Sequence, residues 1–445
     1  MRRTVVLHWP RLAHDATMWH PDGVPVSPLI RCSLTTLRAL VVAAVLVLCS
    51  GAARSPVSAQ GIAPGTQFTP LAATVLTNPI SVRGTDGQLH MTYELLLTNA
   101  SPLSVRVEQV LVGGEDADRI LLSLEGDQLA GEMTPFAGTP GSEATEDPTQ
   151  DGGSTTIASG AIGIVWVDVT TDSQAEPPET LANRVVASIL RPDGQSVPFD
   201  GIVARVPVNR STPLELSPPV GNGLWYMSDG CCTGDTHHRR GLAPINGQLL
   251  VPQRYAVDWY RVDDQHRAWA GDPSQLKSYL AYQQPVLAAA DGTVVSSLDG
   301  LPNNPDLPHP PPIPPIEQTV GNFVILKVDG GYLLYGHLDP GSVRVATGQQ
   351  VSRGDVLGLI GTSGNSTAPH LHFQAMTTPT FFPTDSPPYV FDRFELVGQV
   401  TERIWDDIIG LQPTGTLPYM PAPDAGPRTS QMPLDRNIIR VISAH

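Results

Sequence analysis

Cysteine is scarce in this chain of 445 residues: there are four, and only the adjacent Cys231 and Cys232 lie beyond residue 59. No framework of cross-links holds such a fold, and two neighbouring cysteines either close a vicinal disulfide in an oxidising compartment or stay free. Positive charge is short as well, with 27 Lys and Arg against 43 Asp and Glu and a net charge of −16. An acidic surface repels phosphate backbones, which excludes nucleic acid as a partner. The unbroken apolar run Leu40–Leu48 is too short to cross a bilayer as an ordinary transmembrane helix. Set behind Arg31 and Arg38 and ahead of Val57-Ser58-Ala59, it has the order of a secretory signal. Residues 1–59 are therefore expected to be a signal peptide, or an N-terminal anchor that attaches the chain to the membrane through residues 37–53. Either way the working protein is secreted or sits in the cell envelope, outside the cytoplasmic membrane. The 41% hydrophobic content suffices for two or more cored domains.

Composition divides the remainder into two regions. Over 66–210, short alternating segments such as "QLHMTYELLLTN", "SVRVEQVLV", "IGIVWVDVT" and "NRVVASILR" are separated by Gly, Asn, Asp and Pro, with no long stripe of helical period. This pattern predicts an antiparallel β-sandwich of immunoglobulin-like type, read as a spacer or docking module. Residues 137–160 are small and acidic and are expected to form a mobile loop between two strands. The second region, 214–396, is again strand-rich, with one short helical candidate at "PSQLKSYLAY" and a Pro-rich surface loop at 302–316. The expected fold class is thus all-β. A tail, 397–445, holds a short helical candidate "ERIWDDIIG", then proline-rich irregular chain and a last apolar stretch, "NIIRVI".

In "APHLHFQAM", His370 and His372 stand two apart, so in a strand they project from one face. Neutral imidazoles so placed suit a metal or a proton relay, but a polar strand face open to water has the same pattern. What decides is whether other ligands converge there. From Pro285 to Gln374 the chain resembles the lysostaphin-type, LytM-like zinc metallopeptidases of peptidoglycan: "PVLAAADGTVV", "GNFVIL", "YGHLDPGS" and "VSRGDVLGLIGTSGNSTAPHLHF" match in order. The resemblance implies a small open β-sheet groove with Zn²⁺ at its floor and peptidoglycan peptides as substrate. It implies His372 as a zinc ligand, with His337 and His370 flanking the metal and handling protons. Asp258, in "RYAVDWY", fits the family's aspartate ligand.

The chain departs from the family at Arg254, which stands where a histidine ligand is expected four residues before the aspartate. A guanidinium offers donors only and cannot bind the metal; a salt bridge to a carboxylate is its ordinary role. Upstream, "GDTHHRRGLAPINGQ" contains His237, His238 and an Asn246-Gly247 hairpin signal. Continued from that turn, antiparallel pairing sets Asp258 opposite Asp235, within two or three residues of both histidines. Resemblance to relatives with a His-Arg-Arg stretch upstream of Arg-x-x-x-Asp-Trp favours His238 as the replacement ligand. Cys231 and Cys232 are conceivable ligands too, but thiolates suit a closed structural site. The expected function is a secreted zinc metalloendopeptidase hydrolysing peptide bonds of bacterial peptidoglycan. The alternative is a catalytically inactive relative that binds peptidoglycan or regulates a cell-wall hydrolase.

Overall fold

The computed structural model describes residues 66–442, except 116–118, 137–153, 173, 308, 310, 313 and 402–414. The expected signal segment 37–53, most of the acidic loop and the helical candidate at 402–410 therefore lie outside the described residues. The regular structure of the described residues is nearly all strand, and no described helix is long and apolar enough to cross a membrane.

The first half is an immunoglobulin-like sandwich of two antiparallel sheets. One runs in the order Leu71–Val75, Gln88–Asn99, Ile162–Asp172, Met133–Phe136, and the other Ser196–Pro207, Thr180–Leu190, Val105–Gly113, Ile120–Glu125. Alternation builds the core: Met91, Tyr93, Leu95 and Leu97 point inward from one strand and Val165, Val167 and Val169 from its neighbour. In Val105–Gly113 a register shift between Val107 and Gln109 resets the alternation, so Val105 and Val107 are followed inward by Val110 and Val112. The opposite face of the Gln88–Asn99 strand is buried as well. Thr92, Glu94 and Leu96 are covered there, and Leu96 packs with Ile164, Trp166 and Val251 of the second half.

The second half is built on a ten-stranded antiparallel sheet. Its order is Gln350–Val351, Gly292–Leu298, Asn322–Val328, Gly331–Leu338, Leu371–Met376, Val257–Val262, Gly223–Ser228, Asn437–Val441, Phe394–Val400, Tyr419–Arg428. Trp225, Trp259, Tyr335, Phe373 and Phe391 fill one face. The chain after Leu396 completes this sheet, and the expected irregular stretch contains the strand Tyr419–Arg428. Its prolines, Pro421, Pro423 and Pro427, are tolerated because the strand lies at the sheet's edge, where one row of backbone donors has no partner strand to serve. The "PSQLKSYLAY" segment forms only a single 3₁₀ turn, Leu276–Ser278, not the expected helix. Its backbone is drawn into tertiary pairing instead: Leu280 N–H donates to Ala268 O at 3.0 Å and Ser278 O accepts from Ala270 N–H at 2.9 Å.

Candidate metal centre

Three central strands bring distant sequence together. Asp258 on Val257–Val262 pairs in register with His372 on Leu371–Met376, and His372 pairs with Gly336 on Gly331–Leu338. His337, next along, has φ 59°, in the left-handed region that a non-glycine residue occupies at a cost of about 1–3 kcal/mol. Its ring lies 4.8 Å from that of His370 and 5.8 Å from that of His372. At Gly321 a Cβ would collide with the carbonyl of Ser363, and that carbonyl accepts from His337 Nδ1 at 2.7 Å. The glycine thus permits the close approach that orients His337.

His238 arrives by a different route from the one its spacing suggested. The Asn246-Gly247 turn is present, with positive φ at both residues and the pairs Ala243↔Leu250 and Ile245↔Gln248. The pairing stops at Ala243, because the preceding residues His237–Arg240 form a short helix. Asp258 therefore faces Ser228 and His372, not Asp235. The helix nevertheless sets His238 Nε2 3.7 Å from Asp258 Oδ2, with its ring 4.9 Å from that of His372.

All five expected residues, His238, Asp258, His337, His370 and His372, line one cavity of about 260 Å³ and are themselves buried. Backbone carbonyls fix three of the rings: His238 Nδ1 to Asp229 O at 3.0 Å, His337 Nδ1 to Ser363 O, and His370 Nδ1 to Ala368 O at 2.8 Å. Donation through Nδ1 leaves Nε2 as the free lone pair. His372 is held the other way round, with Nε2 3.0 Å from Gln374 Oε1 and Nδ1 3.0 Å from Asp258 Oδ1. His370 Nε2 is buried 3.3 Å from Asp258 Oδ2 but off hydrogen-bond alignment. His237, His238 and Asp258 also offer ligand atoms within 4.8 Å of one another, although His237 is 40% exposed and pairs with Asp229 at 3.2 Å. Imidazole nitrogen with one carboxylate is a donor set suited to zinc.

Burial decides His238 and His337, and charge decides Asp258 and His370. It pushes His238 down to about 3, with His237 adding to the effect, and takes His337 well below its ordinary value, helped by His370 and His372. Burial would raise Asp258, but the charges of His370 and His238 outweigh it and hold the carboxylate well below its usual range. Burial would likewise lower His370, and the Asp258 charge reverses that sign.

Sequence reasoning missed Gln374 and Asp229. Gln374 was within reach, since it continues the His370, His372 alternation on the same strand face; Asp229 acts through its backbone and leaves no sequence signal. Arg254 has the salt-bridge role expected of it: it is buried against Glu94, with Nη2–Oε2 at 2.7 Å, and also pairs with Asp385. Cys231 and Cys232 form a vicinal disulfide. A second group of ligand-capable atoms, His90, Asp168 and Cys232, is thereby denied its thiolate, and both His90 nitrogens are engaged by Asp168 and Asp86.

Residues 277–381 match the family described as Peptidase family M23. Over 97 residues the chain is 33% identical to the cell division protein DipM of Caulobacter vibrioides, covering 22% of this chain and 13% of that protein. It is 34% identical over 91 residues to the peptidoglycan DD-endopeptidase ShyA of Vibrio cholerae, covering 20% and 17%. The chain thus spans less than a fifth of either relative. Among solved structures, the catalytic domain of lysostaphin from Staphylococcus simulans aligns at 23% identity and TM-score 0.21, covering 37% of this chain and 89% of that one. His337, His370 and His372 fall inside the matched segment, whereas His238 and Asp258 precede it. The resemblance to the lysostaphin-type, LytM-like metallopeptidases is thus shown, carried by residues 277–381, which match peptidase family M23.

Proposed function

We propose that the protein is a zinc metalloendopeptidase that hydrolyses peptide bonds of bacterial peptidoglycan, in wall remodelling or lysis, outside the cytoplasmic membrane. The observation that carries this reading is the convergence of five buried side chains, His238, Asp258 and His372 with His337 and His370, on one cavity. In this reading His238 Nε2, the Asp258 carboxylate and His372 Nδ1 hold Zn²⁺. When bound, zinc polarises the scissile carbonyl and acidifies water. Gln374 and the Asp229 carbonyl orient two of the ligands from behind. His337 and His370, each with Nδ1 committed to a carbonyl, line the same cavity and move protons between the attacking water and the leaving amine. His238 is preferred over His237 because it is buried with Nε2 aimed at Asp258.

The division into a sandwich over 66–210 and a peptidase region from 214, with 1–59 as signal or anchor, belongs to the same proposal, and the strands after 396 extend the peptidase sheet. Arg254 favours a second reading, an inactive relative that binds peptidoglycan or regulates a wall hydrolase. Metal analysis of the purified protein together with a digest of purified peptidoglycan separates the two. Stoichiometric zinc with released peptides supports the enzyme; no zinc uptake from excess metal at neutral pH, where histidine ligands are competent, supports the inactive binder.

A further inference from the structure

Within the second half, His238 sits outside the ten-stranded sheet, on the four-residue helix His237–Arg240. One helical turn cannot hold itself in water, and its N-cap bond from Arg239 N–H to Thr236 Oγ1 at 3.1 Å is local. Asp229 ties the helix within the second half, through its carbonyl to His238 Nδ1 at 3.0 Å and its carboxylate to His237 at 3.2 Å, and the anchors of the residues that follow lead into the sandwich. Arg239, adjacent to His238, is fully buried and pairs through Nη1 with Glu94. Its Nη2 donates to Tyr93 O at 2.9 Å and Val167 O at 3.1 Å, and its guanidinium lies 5.5 Å from the Trp166 ring centroid. Arg240 donates to Gly131 O. Each of these partners belongs to the sandwich.

Glu94 has no solvent exposure and faces two guanidinium groups. Besides Arg239 it takes Arg254, with Nε–Oε1 at 3.0 Å and Nη2–Oε2 at 2.7 Å. A carboxylate that accepts from Arg254 and is ion-paired with Arg239 ties the two buried side chains to one point. Arg254 stands where the family resemblance calls for a histidine, and Arg239 stands beside the histidine that replaces it. Arg254 and the neighbour of the proposed replacement ligand are therefore the two ends of one ionic cluster.

We propose that Glu94 is a positioning residue for the metal centre: by clamping Arg239 and Arg254 it fixes the His237–Arg240 helix, and with it His238, so that the sandwich is a working part of the site. The proposal rests on the zinc-peptidase reading and deepens it. It is tested in the full chain with Zn²⁺ and with Co²⁺ as a spectroscopic probe, metal affinity being read by chelator competition alongside the melting temperature of the metal-free protein. Glu94→Gln and Glu94→Asp are compared with Thr92→Val, which removes a different contact between sandwich and sheet, the 2.6 Å bond of Thr92 Oγ1 to Tyr255 OH. Both Glu94 variants should bind either metal about 10–100-fold more weakly and alter the Co²⁺ absorption bands, while Thr92→Val binds as wild type. If Glu94→Gln does not fold, Glu94→Asp, which keeps the charge but shortens the reach, decides alone. Wild-type affinity in a folded Glu94 variant overturns the proposal. So does an affinity that merely tracks melting temperature across all three variants. A wild-type protein that takes up no metal sinks the peptidase reading, and this inference with it.

Discussion

The cavity's histidines differ in which nitrogen the protein has already claimed. His238, His337 and His370 give Nδ1 to carbonyls, with His238 and His370 turning Nε2 towards Asp258 at 3.7 and 3.3 Å, whereas His372 holds Asp258 through Nδ1 at 3.0 Å. The proposed function gives metal holding to His238, Asp258 and His372 and proton transfer to His337 and His370. His337→Ala or His370→Ala should slow peptidoglycan hydrolysis by ~10²–10⁴-fold, the usual worth of general acid–base assistance, and retain most of the zinc. Asp258→Ala and His372→Ala should lose the metal itself; equal metal loss in His337→Ala and His372→Ala, measured by elemental analysis, would erase the distinction. The same assay separates the neighbours on the helix. His238→Ala should release zinc and abolish cleavage, His237→Ala should do neither, and zinc bound normally by His238→Ala would remove it from the ligand set.

At the scale of elements, much was legible because strand period and turn chemistry are local. "QLHMTYELLLTN" is the strand Gln88–Asn99 residue for residue, and Asn246-Gly247 makes the predicted turn with the predicted pairing. What local signals do not carry is where pairing ends: the hairpin register holds to Ala243 and fails at Asp235, because buried contacts at Arg239 turn the chain into a helix. The Leu276–Ser278 turn and the edge strand Tyr419–Arg428 are likewise decided by partners far along the chain. One local element carries its own pH signature. On the Gln88–Asn99 strand, burial would lower His90, but Asp168 at 2.8 Å and Asp86 at 3.2 Å outweigh it and raise the imidazole from 6.5 to about 10. The folded state thus binds this proton more tightly than the unfolded chain, so the contribution is complete below 6.5 and is lost as pH rises through about 10. Urea unfolding of wild type and His90→Gln should differ by roughly 2–4 kcal/mol near pH 6 and converge towards pH 10. A gap that stays constant or widens with pH would show that His90 contributes by packing alone.

At the scale of the molecule, the sandwich and the ten-stranded sheet share buried charge, and this makes them hard to separate. Phe68–His445 forms one compact unit, and Glu94 enters the second half as the carboxylate partner of two of its buried arginines. A fragment beginning at residue 214 keeps Arg239 and Arg254 but loses Glu94, the carbonyls of Tyr93 and Val167, and the apolar cover of Leu96, Ile164 and Trp166 over Val251. Asp385 remains for Arg254, while Arg239 is left without its carboxylate. Without the sandwich the Arg239 guanidinium meets water, so the loss is that of the apolar cover over Val251 and of the anchors of the His237–Arg240 helix. The fragment should therefore unfold at a markedly lower urea concentration than the full chain, or aggregate on expression. Arg239→Met in the full chain breaks a buried pair and should destabilise by about 3–5 kcal/mol, whereas in the fragment, where residue 239 faces water, it should change stability little. A fragment with the full chain's urea midpoint, or an Arg239→Met effect of equal size in both contexts, would mean that the ionic cluster does not bind the two halves.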